Sequence, residues 1–432
     1  MELFDRIQRR ELERAVLVHV DFHNEADREE LDEFYELVDS AGAEICTLLT
    51  TKRQNPDSKY FVGKGKAEEI HDAVNLYEAD VVIVNHALTP AQERNLSELV
   101  GCQVLDRVGL ILDIFAQRAR SHEGKLQVEL AQLKRMATRL VKGWTHLDRQ
   151  GGIGARGPGE TQLESDRRMV QNRIKQLESK IEKVRKQRDL GRRSRKRSEL
   201  PTITIVGYTN AGKSTLFNHM TSAGVYAEDR LFATLDSTLR RVHLPGAGPV
   251  IFADTVGFIR HIPHDLVTAF RSTLEETREA SLLIHLVDAA DKHREEKMAD
   301  VYDVIAEVGA QNVPQLTIFN KIDLLEPQVN PKIDYNDEGV AERVWVSAQK
   351  GLGIDLLMDA VGSFFKGAYH TVDLVLDVTA GKRRAQLYEL GTIEREGFDE
   401  HGNSEFTMTL TEQEWQQIKE WPELLKVKKQ PK

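Results

Sequence analysis

The eight residues from Gly207 to Ser214, Gly-Tyr-Thr-Asn-Ala-Gly-Lys-Ser, constrain this chain more than any other stretch. They fit the pattern G-x-x-x-x-G-K-[ST]. Thr202 to Val206 before them is an apolar, β-branched run that reads as a buried strand, and Thr215 to Met220 after them reads as the first turns of a helix. Strand, glycine-bounded loop and helix turn successive backbone N–H groups toward phosphate oxygens. In that arrangement Lys213 reaches the β- and γ-phosphates and the Ser214 hydroxyl holds Mg²⁺. The fold this demands is α/β, a doubly wound and mostly parallel sheet with its site at the carboxyl ends of the strands.

A chain of 432 residues has room for about three domains. No run approaches the ~20 apolar residues that cross a bilayer. Met1 to Arg14 is charged and lacks the apolar stretch of a signal peptide. Cys46 and Cys102 have neither disulfide density nor metal spacing. These features predict a soluble, cytoplasmic protein. The net charge of −10 argues against general nucleic-acid binding, but it hides an asymmetry. Ser165 to Glu199 holds fourteen Lys/Arg against five Asp/Glu, a local +9 that peaks in Arg192 to Arg197. Two readings of that run stand, a solvated linker and a polyanion contact.

In chain order, residues 15 to 115 alternate strand and helix. Strands are predicted at Val16–Phe22, Ile45–Thr50 and Asp80–Val84, helices at Asp27–Ser40 and Pro90–Val100, and a short strand with a turn at Val104–Leu112. The alternation implies a small parallel sheet covered by helices. Within it, Tyr60-Phe61-Val62-Gly63-Lys64-Gly65-Lys66 precedes a helix predicted at Ala67–Tyr77. A second nucleotide site and a plain glycine turn with exposed lysines both explain that stretch.

Leu126, Leu130, Leu133, Ala137 and Leu140 form one seam at intervals of four and three, and Val170, Ile174, Leu177, Ile181 and Val184 form another. Two helices of about 25 residues, each roughly 38 Å long, should fold back as a long antiparallel hairpin, an arm. Between them Gly151 to Glu160 carries five glycines and one proline. Trp144, Arg149 and Arg156 flank or lie in that loop. Glycine permits close backbone approach, arginine meets phosphates and base edges, and tryptophan stacks on bases. Arg149, Gly151, Gly152, Gly154, Arg156 and Gly157 are therefore candidate RNA contacts, with a flexible connector as the alternative. Thr161 with Glu164 fits a capping box for the second helix.

After Ser198, strands are predicted at Thr202–Val206, Val250–Ala253, Leu282–Val287, Gln315–Phe319 and Val344–Val346. Three of them end in polar motifs. Asp254-Thr255-Val256-Gly257 offers a carboxylate to the Mg²⁺ shell and a glycine N–H to the γ-phosphate. Asn320-Lys321-Ile322-Asp323 offers a carboxylate that matches the N1–H and 2-amino donors of guanine. Ser347-Ala348 offers an amide to guanine O6. Beyond Gly367 a small α+β domain of ferredoxin-like character is predicted, with strands at Thr371–Val378 and Ser404–Leu410, helices at Arg383–Leu390 and Glu412–Glu420, and a frayed Lys426–Lys432. The expected domains are 1–118 (N-terminal α/β), 119–198 (helical arm and basic linker), 199–366 (nucleotide domain) and 367–432 (small α+β).

The order of these motifs resembles that of the translation-factor-related P-loop GTPases. More narrowly, the chain resembles the HflX family. The segments that carry this are Gly151–Thr161, Phe232-Ala233-Thr234-Leu235-Asp236, Asp254-Thr255-Val256-Gly257-Phe258 and Tyr60 to Lys66. The likeness spans about residues 15–365, and Ser237 stands where the family pattern has proline.

The resemblance implies a Mg²⁺-dependent GTP hydrolase that cycles between GTP and GDP, binds the large ribosomal subunit and splits or rescues stalled or idle ribosomes, often under stress. It implies contact with ribosomal RNA rather than DNA, a monomer off the ribosome, and a cytoplasmic setting with a peripheral membrane-associated fraction. It also implies ATP as a candidate ligand near Lys64 and Lys66. The candidate nucleotide residues are Gly207, Tyr208, Thr209, Asn210, Ala211, Gly212, Lys213, Ser214, Thr215, Asp254, Thr255, Val256, Gly257, Asn320, Lys321, Asp323, Ser347 and Ala348. Candidate catalytic residues are Lys213, Thr234 and Gly257, and candidate Mg²⁺ residues are Ser214, Thr234 and Asp254, with Thr238 as the other switch threonine. Asn210 fits a K⁺ position and equally a turn asparagine. Phe258 follows the Asp-x-x-Gly motif where many small GTPases carry a water-orienting glutamine, which predicts slow turnover without a partner. His261 and His264 lack metal spacing. The alternatives are a GTP-switched RNA-binding adaptor and an RNA-remodelling protein with a second ATP site.

Overall fold

The computed structural model describes residues 13–22, 27–143, 158–197, 200–221, 232, 238–244, 248–258, 276–365, 369–390 and 392–429. The chain divides into two compact units.

The first unit is built on a four-stranded, wholly parallel sheet of order β2-β1-β3-β4, formed by β1 (Arg14–Asp21), β2 (Glu44–Lys52), β3 (Val81–Val84) and β4 (Gln103–Asp106). The inner strand β1 is buried along six consecutive residues, which is why it reads as an unbroken apolar run rather than an alternating one. Helices α1 (Asp27–Ala41), α2 (Lys64–Tyr77) and α3 (Pro90–Val100) connect the strands. Thr89 closes a reciprocal capping box with Gln92 at the start of α3, and Gly101 ends that helix in the left-handed region. Where a strand and turn were expected beyond Val104, β4 stops at Asp106 and α4 (Arg107–Arg118) follows. Leu110, Ile111, Leu112, Ile114 and Phe115 are all buried, so α4 is apolar nearly all round and its helical period is hidden.

Two long helices complete this part of the chain, α5 (His122–Gly143) and α6 (Pro158–Arg197). The expected seams meet, with Leu126, Leu130 and Leu133 of α5 packing with Ile174, Leu177 and Ile181 of α6. Ion pairs Arg173–Glu129 and Lys134–Glu178 cross between the two helices. α6 has 40 residues rather than about 25. It starts at Pro158, so Thr161 lies inside it and not at its cap, and it carries the basic run through Arg197 as helix rather than as linker. Pro at the first helical position explains the earlier start, because its missing N–H is an orphan there anyway. The glycine-rich tip, with Trp144, Arg149, Gly151, Gly152, Gly154, Arg156 and Gly157, lies outside the described residues.

Asp106 ties α5 to the sheet. Its carboxylate is 1% exposed and takes the Gly109 N–H at 2.8 Å, the Leu88 N–H at 3.1 Å, Arg135 at 2.7 Å and Arg139 at 3.1 Å. Glu93 on α3 accepts from the same two arginines. Phe232 also belongs to this unit, its buried ring meeting Phe115 edge-on with centroids 4.6 Å apart.

The second unit holds a seven-stranded sheet of order β10-β11-β9-β8-β5-β7-β6. The five inner strands are parallel: β5 (Thr202–Gly207), β7 (Gly248–Asp254), β8 (Leu282–Asp288), β9 (Gln315–Asn320) and β11 (Ala341–Trp345). Both edges are antiparallel strands that sequence periodicity missed, β6 (Thr238–Leu244) and β10 (Lys332–Tyr335). Helices α7 (Lys213–Thr221), α8 (Arg294–Val308) and α9 (Ile354–Phe364) follow strands or loops of this sheet. Ile203, Ile205, Phe217, Phe252, Ile284, Ile318 and Val344 share one buried core, so α7 is packed directly against the sheet that presents the loop before it.

The C-terminal part is a wholly antiparallel sheet of order β13-β14-β12-β15, from β12 (Tyr369–Leu376), β13 (Thr392–Phe398), β14 (Ser404–Thr411) and β15 (Leu424–Lys429), with α10 (Gly381–Glu389) and α11 (Glu412–Ile418). This βαββαβ order is the ferredoxin-like arrangement that was expected. The lysine-rich end is not frayed as far as Lys429, because β15 pairs with β12 from Leu376 to Val372.

Candidate functional site

The site grows from the end of the central strand β5. Gly212 has φ 95, and a side chain there would drive into the Asn320 amide. Only glycine fits both constraints. Asn210 also sits in the left-handed region at φ 60, a conformation that asparagine tolerates. Lys213 opens α7 and is buried, its Nζ donating to the Tyr208 carbonyl at 2.6 Å. Burial pushes its ammonium down to about 8. Asp254 pulls it back up and Lys321 lowers it further. The Ser214 hydroxyl donates to Asp254 Oδ2 at 2.8 Å.

Asp254 ends β7, fully buried, and the chain then runs back against the loop. The Thr209 N–H donates to the Phe258 carbonyl at 2.7 Å, and the Phe258 N–H donates to the Gly207 carbonyl at 3.1 Å. Thr255 anchors this return through its hydroxyl to the Ile205 carbonyl at 2.6 Å. A methyl group placed on Gly257 would lie 2.8 Å from Lys213 Nζ and 2.9 Å from Thr209 Cα, so Gly257 is packed between the two.

Asn320 ends β9 and fastens two loops together. Its amide donates to the Ala211 carbonyl at 2.8 Å and its Oδ1 accepts the Ala348 N–H at 2.8 Å. The Ala348 amide, expected to face guanine O6, is thus directed at Asn320 here. Lys321 takes φ 63 and pairs with Asp288 at 2.7 Å. The Asp323 carboxyl is 5% exposed. A hydrogen bond from Ser347 holds it below the usual carboxylate range, assisted by Lys350 at 3.5 Å. An ionised carboxylate acceptor at the end of β9 suits the two adjacent donors of guanine.

The oxygen donors fit a hard divalent cation. The Ser214 hydroxyl and the Asp254 carboxylate already meet, and Mg²⁺ prefers one or two such ligands alongside phosphate oxygens and water. Thr234 lies outside the described residues, as do His261 and His264. Thr238 begins β6, where it pairs with Asp254 in the sheet ladder.

Two features were missed in the sequence. His285 on β8 is buried and its imidazole is pushed down to about 4, by burial first and Lys213 second, so it is a neutral neighbour of the site. Lys297 sits over the Tyr208 ring, 5.1 Å from its centroid. Periodicity shows neither, because each pairs residues far apart in the chain. In the N-terminal sheet, Lys64 and Lys66 are paired with Glu68 and Glu69 of their own helix. Gly63 precedes that helix at φ 87 with no side-chain cap.

Three family profiles match in succession: a GTP-binding GTPase N-terminal region over residues 28–116, a GTP-binding GTPase middle region over 118–195, and a 50S ribosome-binding GTPase over 202–321. The chain is 53% identical to the GTPase HflX of Escherichia coli K12 over 425 residues, 98% of this chain and 99% of that protein. It is 46% identical to the GTPase HflX of Caldanaerobacter subterraneus, covering 91% and 90%. Among solved structures, a GTP-binding protein of Sulfolobus solfataricus in complex with GDP aligns at 25% identity and a TM-score of 0.44, covering 81% of this chain and 98% of that one. Identity of this extent along nearly the whole length, with all the nucleotide motifs at strand ends of one sheet, places the chain in the HflX family of GTPases, which bind guanine nucleotide and hydrolyse GTP.

Proposed function

We propose that this GTPase engages the large ribosomal subunit, splits or rescues stalled and idle ribosomes, and uses ribosome-stimulated GTP hydrolysis to time its release. The observation that carries the reading is the match of its nucleotide domain to a 50S ribosome-binding GTPase profile, joined to a buried Phe258 at the position after Asp-x-x-Gly. A phenyl ring cannot hydrogen-bond the attacking water, so turnover needs a group from elsewhere. Ribosomal RNA is the partner this reading supplies, through the arm and its tip residues Arg149, Gly151, Gly152, Gly154, Arg156 and Gly157. The four-part division at 118, 198 and 366 is part of the same reading, with the protein monomeric off the ribosome, cytoplasmic and in part peripherally membrane-associated. Among the described residues no helix is long and apolar enough to cross a membrane.

In the site, Ser214 and Asp254 would hold Mg²⁺ together with Thr234, and the ion would polarise the β- and γ-phosphate oxygens. Lys213 would leave the Tyr208 carbonyl for those phosphates, and the Gly257 N–H would meet the γ-phosphate. Asp323 would read the base and Asn320 would keep its loop in register. Asn210 is the K⁺ candidate. ATP at Lys64 and Lys66 belongs to the second reading, an RNA-remodelling protein. The uncapped helix start after Gly63, with Lys64 and Gly65 exposed, is the observation that favours it.

The test is GTP turnover and cosedimentation with intact ribosomes and separated subunits, with and without residues 151–159. The expected result is turnover raised well above the intrinsic rate by large subunits, lost on deletion while GDP affinity holds. Fast turnover that ignores ribosomes would sink the proposal.

A further inference from the structure

Two hydroxyls of the nucleotide loops are held by protein acceptors. Ser214 donates to Asp254 and Thr255 to the Ile205 carbonyl. The Thr209 hydroxyl is buried and finds no hydrogen-bond partner among the described residues, in a residue only 6% exposed. A buried hydroxyl left in that state destabilises the fold. Valine has the same branched shape without a hydroxyl to leave unpaired.

Its position is specific. The Thr209 backbone is fixed by the bond from its N–H to the Phe258 carbonyl. Its Cγ2 and the Lys213 Nζ each lie 2.8 Å from where a methyl on Gly257 would stand. Thr209 and Lys213 thus flank Gly257, whose N–H is directed to the γ-phosphate in enzymes that carry Asp-x-x-Gly at this strand end. Phe258, 4% exposed, brings no polar side-chain atom to that place.

We propose that the Thr209 hydroxyl donates a hydrogen bond to the γ-phosphoryl group of GTP as that group transfers to water. In the step, the water oxygen forms a bond to the γ-phosphorus while the bond to the β–γ bridging oxygen breaks. The bonding pair leaves with GDP and the proton from water ends on inorganic phosphate. Thr209 keeps its own proton and stabilises the negative charge spread over the equatorial oxygens. Its hydroxyl has no acceptor among the described residues, and the transferring group supplies one. The proposal rests on the GTPase reaction alone and is independent of ribosome binding.

The test uses full-length Thr209→Val, Thr209→Ser and Thr209→Ala in single-turnover hydrolysis without ribosomes. Two readouts do not depend on activity: the affinity for GDP and for GDP with aluminium fluoride, and the melting temperature of the nucleotide-free protein. Removal of one donor aimed at developing charge lowers the rate by roughly 100–1000-fold in Thr209→Val. Thr209→Ser should retain most of the rate. GDP affinity should stay within about threefold, while the added affinity given by aluminium fluoride drops about tenfold, on the same donor loss. Nucleotide-free Thr209→Val should melt no lower than the parent. Thr209→Ala reads the same rate and affinities if valine packs badly. Two results overturn the proposal. One is a Thr209→Val rate within about threefold of the parent, against the loss expected for such a donor. The other is a rate loss that merely tracks falling GDP affinity and melting temperature.

Discussion

Binding of nucleotide should draw a proton onto Lys213. In the nucleotide-free protein this buried ammonium is pushed down to about 8, and it donates to the Tyr208 carbonyl at 2.6 Å. Phosphate oxygens supply negative charge and restore its usual value near 10.4. At pH 7 about one-tenth of Lys213 is neutral before binding, and at pH 8 about one-half is. GDP binding should therefore take up roughly 0.1 proton at pH 7 and roughly 0.5 at pH 8 through this group. The folded value lies below the unfolded one, so the unfolded chain holds more protons from about pH 8 to 10.4. The penalty of burying the charge is complete below pH 8 and is relieved as pH rises through that window, by about 3 kcal/mol at full extent. Bound GDP should erase the gain. Calorimetry of GDP binding in buffers of differing ionisation enthalpy, at both pH values, measures the uptake, and Lys213→Met should remove the difference. Uptake no larger at pH 8 than at pH 7 would refute the argument.

Three further substitutions test other parts of the site and its support. Asp323→Asn places an amide donor against the base donors and should shift preference from GTP to XTP; unchanged GTP affinity in a competition assay would exclude base reading by this carboxylate. Gly257→Ala sets a methyl 2.8 Å from Lys213 Nζ and 2.9 Å from the Thr209 backbone. It should keep GDP affinity within about threefold yet lose at least tenfold in GTP-analogue affinity, a difference of about 1.4 kcal/mol; equal losses for both ligands would contradict it. Asp106→Ala strips a buried acceptor from Arg135 and Arg139 and should cost roughly 3–5 kcal/mol of stability in the N-terminal unit; a denaturant midpoint like that of the parent would show that the hub is not structural.

What the sequence revealed tracks how each element is buried. Inner strands such as β5, β8 and β9 are covered on both faces, so they stand out as apolar β-branched runs with a polar motif where each run ends. The edge strand β6 is exposed at the consecutive Arg240 and Arg241 and again at His243, so its period is broken. β10 is only four residues long and mixes Lys332 and Asp334 with its apolar positions. β15 was masked by alternating lysines, Lys426 and Lys428, that register alone explains. α4 failed in the opposite direction, since burial on nearly every side removed the helical stripe. In the site, Asn320 was legible as part of a motif, but its two partners were not. Ala211 is 109 positions away and Ala348 is 28 away, and only the sheet order brings both to one side chain.

In a GTPase that lacks a glutamine after Asp-x-x-Gly, Phe258→Gln is the obvious way to raise intrinsic turnover. The backbone around it argues otherwise. Phe258 donates to the Gly207 carbonyl and accepts from the Thr209 N–H, so its main chain forms a parallel β-bridge to the phosphate loop. Its side chain is 4% exposed. A glutamine there would exchange a buried ring for a buried amide, losing about 3 kcal/mol or more of apolar packing and leaving polar atoms to satisfy. The expected result is a less stable protein whose single-turnover rate rises by no more than about threefold, far short of the 10²–10⁴ that a positioned general base or water-orienting group contributes. A tenfold or greater acceleration, with the melting temperature unchanged, would show that the loop pairing opens when GTP binds and that the ring is a removable block.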